Sequence, residues 1–460
     1  MARRYKALRR VNSQRGSILV TVLGVLAVLL TVFLAAMTFS LTRYGHYKKQ
    51  QSRLVAAHLS DAGVARSLSD LHNGDQSVVI DNILAPNGGS FRTTTMAWGP
   101  FILVTSDGTY ANQTVTTSSL IGSSLPPLCS AAISVGNENY PFTVAGHTRI
   151  IGDINTGDLG VAMGRIKGEG VTSDDYHTGN VVVSANINIP PLDTTVLNQY
   201  LSEMHTRRVN TASVMEGSVL LRVADSRTVS QDESIYIENN LELNGWDANV
   251  ASGIASLFVS GFVEIRGDTK ISGLMEIVAD GSIYVRDSAV LDNVLLYARD
   301  SIVFSGDAMF SGVAMAHRSI AVTGQASSAY PSSLVLLAND TDPESKGGVF
   351  LTSRGRMESV SFLSIANNDV DRKNYTLFLD SSAIFIGILW SEGLADIGGY
   401  VYGSIVAEQF LYELPPTTYV NWVRDLYVNR NALLYSPVLP VLTGDESQRP
   451  YRILRQDKLN

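Results

Sequence analysis

From residue 261 to residue 324 the chain repeats itself every 18 to 20 residues, and nothing else in it restricts the fold so tightly. The repeats align as Val259-Ser-Gly-Phe-Val263-Glu-Ile265, Ala279-Asp-Gly-Ser-Ile283-Tyr-Val285, Ala298-Arg-Asp-Ser-Ile302-Val-Phe304 and Ala316-His-Arg-Ser-Ile320-Ala-Val322. A period of this length marks a stack in which each unit buries its apolar face only against its neighbours. Turn formers subdivide it at Gly261, Gly267, Gly273, Asp280, Asp287, Asn293, Asp300, Gly306, Gly312, Arg318 and Gly324, six or seven residues apart. Three short strands and three corners per repeat make one coil of a three-sided parallel β-helix. Within each strand apolar and polar side chains alternate, which puts one set in the core and the other in water. Stacking in register places Ile283 over Val263 and under Ile302, with coils about 4.8 Å apart. Ile271, Leu291 and Phe310 repeat the pattern in the second strand. A left-handed hexapeptide coil gives a similar period, so spacing leaves the hand open. A TIM barrel or a sandwich gives no triplets of six.

Charge is unevenly spread. Of a net −8, residues 1–60 hold ten Lys or Arg and no acid, which leaves −18 for the remainder. Residues 18–41 are uncharged and almost wholly apolar, long enough at about 1.5 Å per residue to cross a hydrocarbon core of about 30 Å. Basic residues flank this run on both sides, so the positive-inside bias favours a cytoplasmic N-terminus and an exported bulk by a modest margin. They account for the basic end as topology and headgroup contacts, without nucleic acid as a partner. A cleaved signal is the rival reading, yet its apolar core usually spans about 7–15 residues and this one runs on into a helix. That helix extends to residue 72, with Leu54, Ala57, Asp61, Val64, Leu68 and Leu71 along one stripe and Asn73-Gly74 as its stop.

Gln14-Arg15-Gly16-Ser17-Ile18-Leu19-Val20, the apolar run, and Ala57-His58-Leu59-Ser60-Asp61-Ala62-Gly63-Val64 resemble the start of type IV pilin-like proteins, minor pilins and pseudopilins above all. The resemblance covers about 60 residues. It implies a basic leader cut by a prepilin peptidase, here between Gly16 and Ser17, and a place in a pilus-like or type II secretion apparatus. The chain departs from the family at Thr21, where most pilins have Glu, and at Ser17, where Phe or Met is usual. A permanent single-pass anchor is the alternative.

The expected organisation is a basic cytoplasmic segment or leader at 1–16, a transmembrane helix and stalk at 17–73, a small antiparallel meander with its linker at 74–130, the β-helix at 131–414, and a closing segment at 415–460 that covers an open end. In the meander, strands are expected at 90–95, 101–105 and 109–118, the last two joined by a turn at Ser106-Asp107-Gly108. Pro190-Pro191 breaks the coil pattern, and Leu192, Val196, Tyr200, Leu201 and Met204 trace a short helix capped near Asp193, an insertion at about 190–215. A further irregular stretch falls at 339–348. The fold class is therefore mainly β, with one N-terminal transmembrane helix.

Region 140–412 resembles the bactofilin-like, polymer-forming β-helices of bacteria through its Ser-Ile/Val-x-Val/Phe strands and Gly393-Leu-Ala-Asp-Ile397-Gly-Gly-Tyr-Val401-Tyr-Gly403. That likeness implies a right-handed coil. The whole layout is similar to membrane-anchored proteins of the bacterial envelope, which implies an inner-membrane location with the bulk periplasmic or extracellular.

Chemistry leaves few marks. There is no GxGxxG after a strand, P-loop, HExxH, GxSxG or CxxC. Cys129 is the only cysteine, so an internal disulfide is ruled out, and no cofactor or metal is expected. The liveliest polar group is Asp174-Asp175-Tyr176-His177, which offers two carboxylates and an imidazole for a metal or for acid–base work. A corner loop uses the same residue types. Asp280, Asp287, Asp292, Asp300, Asp307, Arg286 and Arg299 fall at corner spacing, where Asp is favoured for turn reasons, and do not converge. Outward tyrosines (Tyr284, Tyr297, Tyr400, Tyr402) suit stacking on sugar rings or docking a protein. The sequence thus favours a non-enzymatic, membrane-anchored scaffold with envelope, pilus or secretion proteins as partners. The alternative is a protein that binds or degrades polysaccharide, with peptidoglycan or another glycan as partner.

Overall fold

A computed structural model describes residues 2–73, 79–84, 88–136, 139–172, 175–184, 187, 189–222, 225, 227–229, 233–250, 253–337, 347–364, 374–433, 438–441 and 451–459. Asp174 and most of the irregular stretch at 339–348 lie outside them. One helix, α1 (Ala2–His72), opens the chain. Its 18–41 run is exposed, an 18-residue window of the helix reaches a mean hydropathy of 2.9, and α1 is long and apolar enough to cross a membrane. Hydroxyls within it are satisfied inside the helix: Thr31 donates to the Val28 carbonyl at 2.7 Å and Thr38 to the Leu34 carbonyl at 2.8 Å. Hydrocarbon offers such groups no other partner.

Four antiparallel strands follow: β1 (Val79–Leu84), β2 (Ser90–Trp98), β3 (Phe101–Tyr110) and β4 (Gln113–Ser123). A fifth, Tyr451–Leu459, comes from the far end of the chain and pairs with β4, Tyr451 opposite Ser123 and Leu459 opposite Thr116. The solenoid is therefore inserted into this sheet. This corrects the expected closing segment at 415–460. Of it, Trp422–Arg424 and Leu426–Asn429 are coil strands, and the last strand belongs to the small sheet.

The coils have the three-sided form the repeat implies. Ile283 pairs with Val263 below and Ile302 above, and Val263, Ile265, Ile283, Val285 and Ile302 are fully buried. One corner stacks Gly267, Asp287, Gly306 and Gly324, all left-handed with φ from 58° to 69°. Asp is tolerated among the glycines because its carboxylate accepts the Gly267 N–H at 3.0 Å, a local bond that offsets the strained backbone.

The stacking order is not the order of the chain. Strands climb from Ser213–Met215 to residues 404–407, and the next position is taken by Ile133–Val135, with Ile405 opposite Ile133. On another side Tyr427 pairs with Arg149. The chain leaves the stack after Asn429 for the small sheet, and the segment from Ala131 occupies the place it vacates. Ser404 seals this junction, its hydroxyl within 2.8 Å and 2.7 Å of the Cys129 and Ala131 carbonyls, and Arg430 Nε donates to the Cys129 carbonyl at 3.0 Å. Cys129 is buried there, and burial pushes its thiol up to about 12 despite Arg430 nearby.

Helix α2 (Thr195–Val209) forms the insertion. Thr194 is the N-cap, and Asp193 just before it accepts the Thr195 N–H at 2.8 Å; Val196, Leu197, Tyr200 and Met204 are buried. It runs along one face of the stack: the Leu192 N–H meets Glu392 near one end, and Arg208 lies 5.4 Å over the Tyr236 ring near the other.

Candidate functional site

Two surfaces are set by the fold: the covered side, where α1 is mounted, and an open side carrying tyrosines. The mount begins with the inner face of α1, which is built from small residues. Ala56, Ser60, Val64, Ser67 and Leu71 are buried, whereas Leu54 of the expected stripe is 59% exposed. Close approach explains the shift. A Cβ on Gly108 would come within 2.1 Å of the Ala56 carbonyl oxygen and 2.4 Å of the Ser60 nitrogen. Gly108 is thus the seat of the helix inside β3, and the Ser106-Asp107-Gly108 turn expected from sequence is instead continuous strand. The turn lies at Ala111-Asn112, both with positive φ, the geometry of a two-residue hairpin. Ser60 donates to the Ser106 carbonyl at 2.7 Å and Ser67 to Thr93 at 3.1 Å. The C-terminal strand also holds α1, through Gln456 donating to Asp61 at 3.0 Å and Tyr451 edge-on to His72 at 5.6 Å.

Beyond α1, the sheet rests on the solenoid. Trp98, Phe101 and Leu120 join one buried cluster with Phe258, Leu295, Val313 and Met315. On this side of each coil, residues of both orientations are buried: Leu257, Ile277 and Leu296 point to the coil core, while Phe258, Val278 and Tyr297 point outward under the sheet and α2. Tyr297, expected in water, is only 6% exposed and bonds His317 at 2.8 Å. The signal was present in runs such as Val294-Leu-Leu-Tyr-Ala298, since a strand buried on both sides loses its alternation.

Glu276 is the one acid in that covered layer with no exposure at all. Arg207 donates to both its oxygens at 2.9 Å and 3.0 Å, Ser256 at 2.7 Å, and the Tyr200 hydroxyl also donates to it. Burial and then Glu276 itself raise the Tyr200 pKa well above its ordinary value, so the phenol stays a donor. A buried carboxylate fully met by donors pins α2 in one place.

The other residues singled out from sequence do not converge. Gly16 and Ser17 lie within the α1 backbone. Asp174 is outside the described residues. Asp175 is exposed, and His177, in a coil strand opposite Ile150, places Nε2 3.0 Å from the Gly152 carbonyl oxygen. No group of three His, Cys, Asp or Glu that would hold a metal occurs among the described residues. The corner charges form ion pairs from coil to coil, such as Arg286 to Glu264 at 3.0 Å and Arg299 to Asp280 at 3.6 Å. Asp292 is met by Arg455 of the C-terminal strand at 3.1 Å; burial works against its charge, but Arg455 and Ser311 outweigh it and hold the carboxyl low.

On an open side, three tyrosines do meet. Tyr400 pairs with Tyr427 on the next coil, with rings 5.7 Å apart, and Tyr402 lies 5.9 Å from Tyr427. Ile384 precedes Tyr400 in this column and Arg149 follows Tyr427. Tyr427 follows Tyr400 in the ordinary order of the coils; Arg149 is far from both in sequence, and the permuted stacking order makes it their neighbour.

No family model matches this chain, and no curated protein matches it. Among solved structures, it is similar to the competence-associated pilin ComZ from Thermus thermophilus, at 11% identity over 88% of this chain and 97% of that one, with a TM-score of 0.22. It is also similar to an ice binding protein from an Antarctic bacterium, Flavobacteriaceae, at 9% identity over 66% of this chain and 97% of that one, with a TM-score of 0.18. Likeness at these scores carries no argument about fold or function.

Proposed function

We propose that this chain is a non-enzymatic, membrane-anchored scaffold of the bacterial envelope, holding its β-helix outside the cytoplasm as a minor component of a pilus-like or secretion apparatus. The observation that carries this reading is the insertion of the solenoid between β4 and the C-terminal strand of the sheet on which α1 sits. Anchor and solenoid are thereby joined through five hydrogen-bonded strands and not through a single tether. A load on either is shared along the sheet, which suits a part that must hold its orientation on an assembly. The coil-to-coil use of the corner acids supports a structural role for them.

Mass spectrometry of the mature N-terminus in bacterial cells, with protease accessibility of the solenoid in spheroplasts, tests the proposal. Cleavage before an N-methylated Ser17, or an intact anchor with a protease-accessible solenoid, is the expected result; the first places the chain in the pilin pathway. A solenoid sealed from external protease and recovered with cytosol overturns it.

A further inference from the structure

We propose that Tyr400, Tyr402 and Tyr427, with Arg149 and Asn429, form a binding platform for an acidic polysaccharide strand lying along the solenoid axis. The column Arg356, Ile384, Tyr400, Tyr427, Arg149 climbs five successive coils, about 19 Å at about 4.8 Å per coil. Ile384 and Tyr400 are 39% and 46% exposed, large apolar groups presented to water on a rigid ladder. A tyrosine ring offers a flat face for the C–H face of a pyranose and a hydroxyl for its rim. The coil spacing sets about one sugar residue per rung.

The polar groups give the ligand its charge. The Asn429 amide donates to the Tyr427 hydroxyl at 3.3 Å, which fixes that ring and leaves its O–H free to donate outward. Arg149 is exposed beside Tyr427 and has no ion-pair partner among the described residues, in a chain whose residues 61–460 carry −18. Such a guanidinium matches a carboxylate in bidentate fashion. Single-stranded nucleic acid also stacks on tyrosine, but it brings a phosphate at every step and needs a groove of cations to hold it. At the other end of the column, Arg356 is already paired with Glu358. Arg149, without an ion-pair partner among the described residues, fits a sparsely charged glycan.

The test is binding of the full chain in nanodiscs to oligogalacturonate, to a neutral cello-oligosaccharide and to oligo-dT, by isothermal titration. Tyr400 and Arg149 are exposed and Tyr427 is half-buried, and an unchanged melting midpoint checks that each substitution leaves the fold intact. Tyr400→Ala and Tyr427→Ala are each expected to weaken oligogalacturonate binding about tenfold, and Arg149→Gln to erase the preference over the neutral glycan. Tyr284→Ala, on another side, is expected to change nothing. Wild-type binding to neither glycan, equal binding by the Tyr400→Ala/Tyr427→Ala double variant, or a preference for oligo-dT overturns the proposal. Because the measurement needs no cell, it stands or falls separately from the envelope location proposed above.

Discussion

Phe258 and Tyr284 sit on neighbouring coils, both pointing away from the coil core, and their surroundings have nothing in common. Phe258 is fully buried beneath the small sheet and α2; Tyr284 is half-buried, with Arg286 at 4.9 Å from its ring. The covered side fills its outward positions with apolar bulk and admits an acid where donors meet it, as Arg207, Tyr200 and Ser256 do at Glu276 and the Leu192 N–H does at Glu392. The open sides use theirs for ion pairs and for the tyrosine platform. A coil core alone therefore does not say what a solenoid does. Its outward columns differ, one side holding α1 and the small sheet and the others open.

That contrast is sharpest where the covered side has least room. Gly108→Val in the full chain is expected to unseat α1, costing more than about 5 kcal/mol, because backbone at 2.1 Å leaves no side chain to move aside. Urea unfolding followed by tryptophan fluorescence reads it, and a loss below about 1 kcal/mol would show that the helix has slack on its seat. Next, Phe258→Ala should lose about 3–5 kcal/mol, since the covering elements collapse only partly into the space. A surface-sized loss there would mean the cover is not part of the cooperative unit.

A titration sharpens the comparison on the open side. Burial, and then Glu413 nearby, push the Asp396 carboxyl up to about 6. An unfolded Asp titrates near about 3.9, so the folded chain holds this proton more tightly. Its contribution is then fully present below about pH 4 and is lost as pH rises through about 6. Asp396→Asn should stabilise the chain by about 2–3 kcal/mol at pH 8 and leave it unchanged at pH 4. Equal effects at both pH values would break this account. The smallest effect belongs to Tyr284→Ala, about 1 kcal/mol or less, because the ring is only half-buried and packs against Arg286. A cost above 1 kcal/mol would blur the division between the two sides.

Local pattern carried a good part of this. The 18-to-20-residue period and the alternation of Ile302 and Phe304 with polar neighbours were enough for the three-sided coil, because each ladder repeats the same short-range chemistry. The anchor run and α2 were equally plain. The seat at Gly108 was not, since a glycine after Asp has the same letters in a turn and under a helix. Nor was the place of Arg149 beside Tyr427, which only the order of stacking brings about.

By itself, then, the sequence determined which segments coil, which residues fill the coils and which stretch is apolar enough for a bilayer. Only the tertiary structure decided that residues 131–184 stack beyond residue 429, that the last strand returns to the first sheet, and which side of the tube is covered. The reason is that every coil edge presents the same parallel strands around the same apolar interior. Any coil would accept any other as neighbour, so the arrangement rests on contacts between residues hundreds of positions apart, which no local periodicity records.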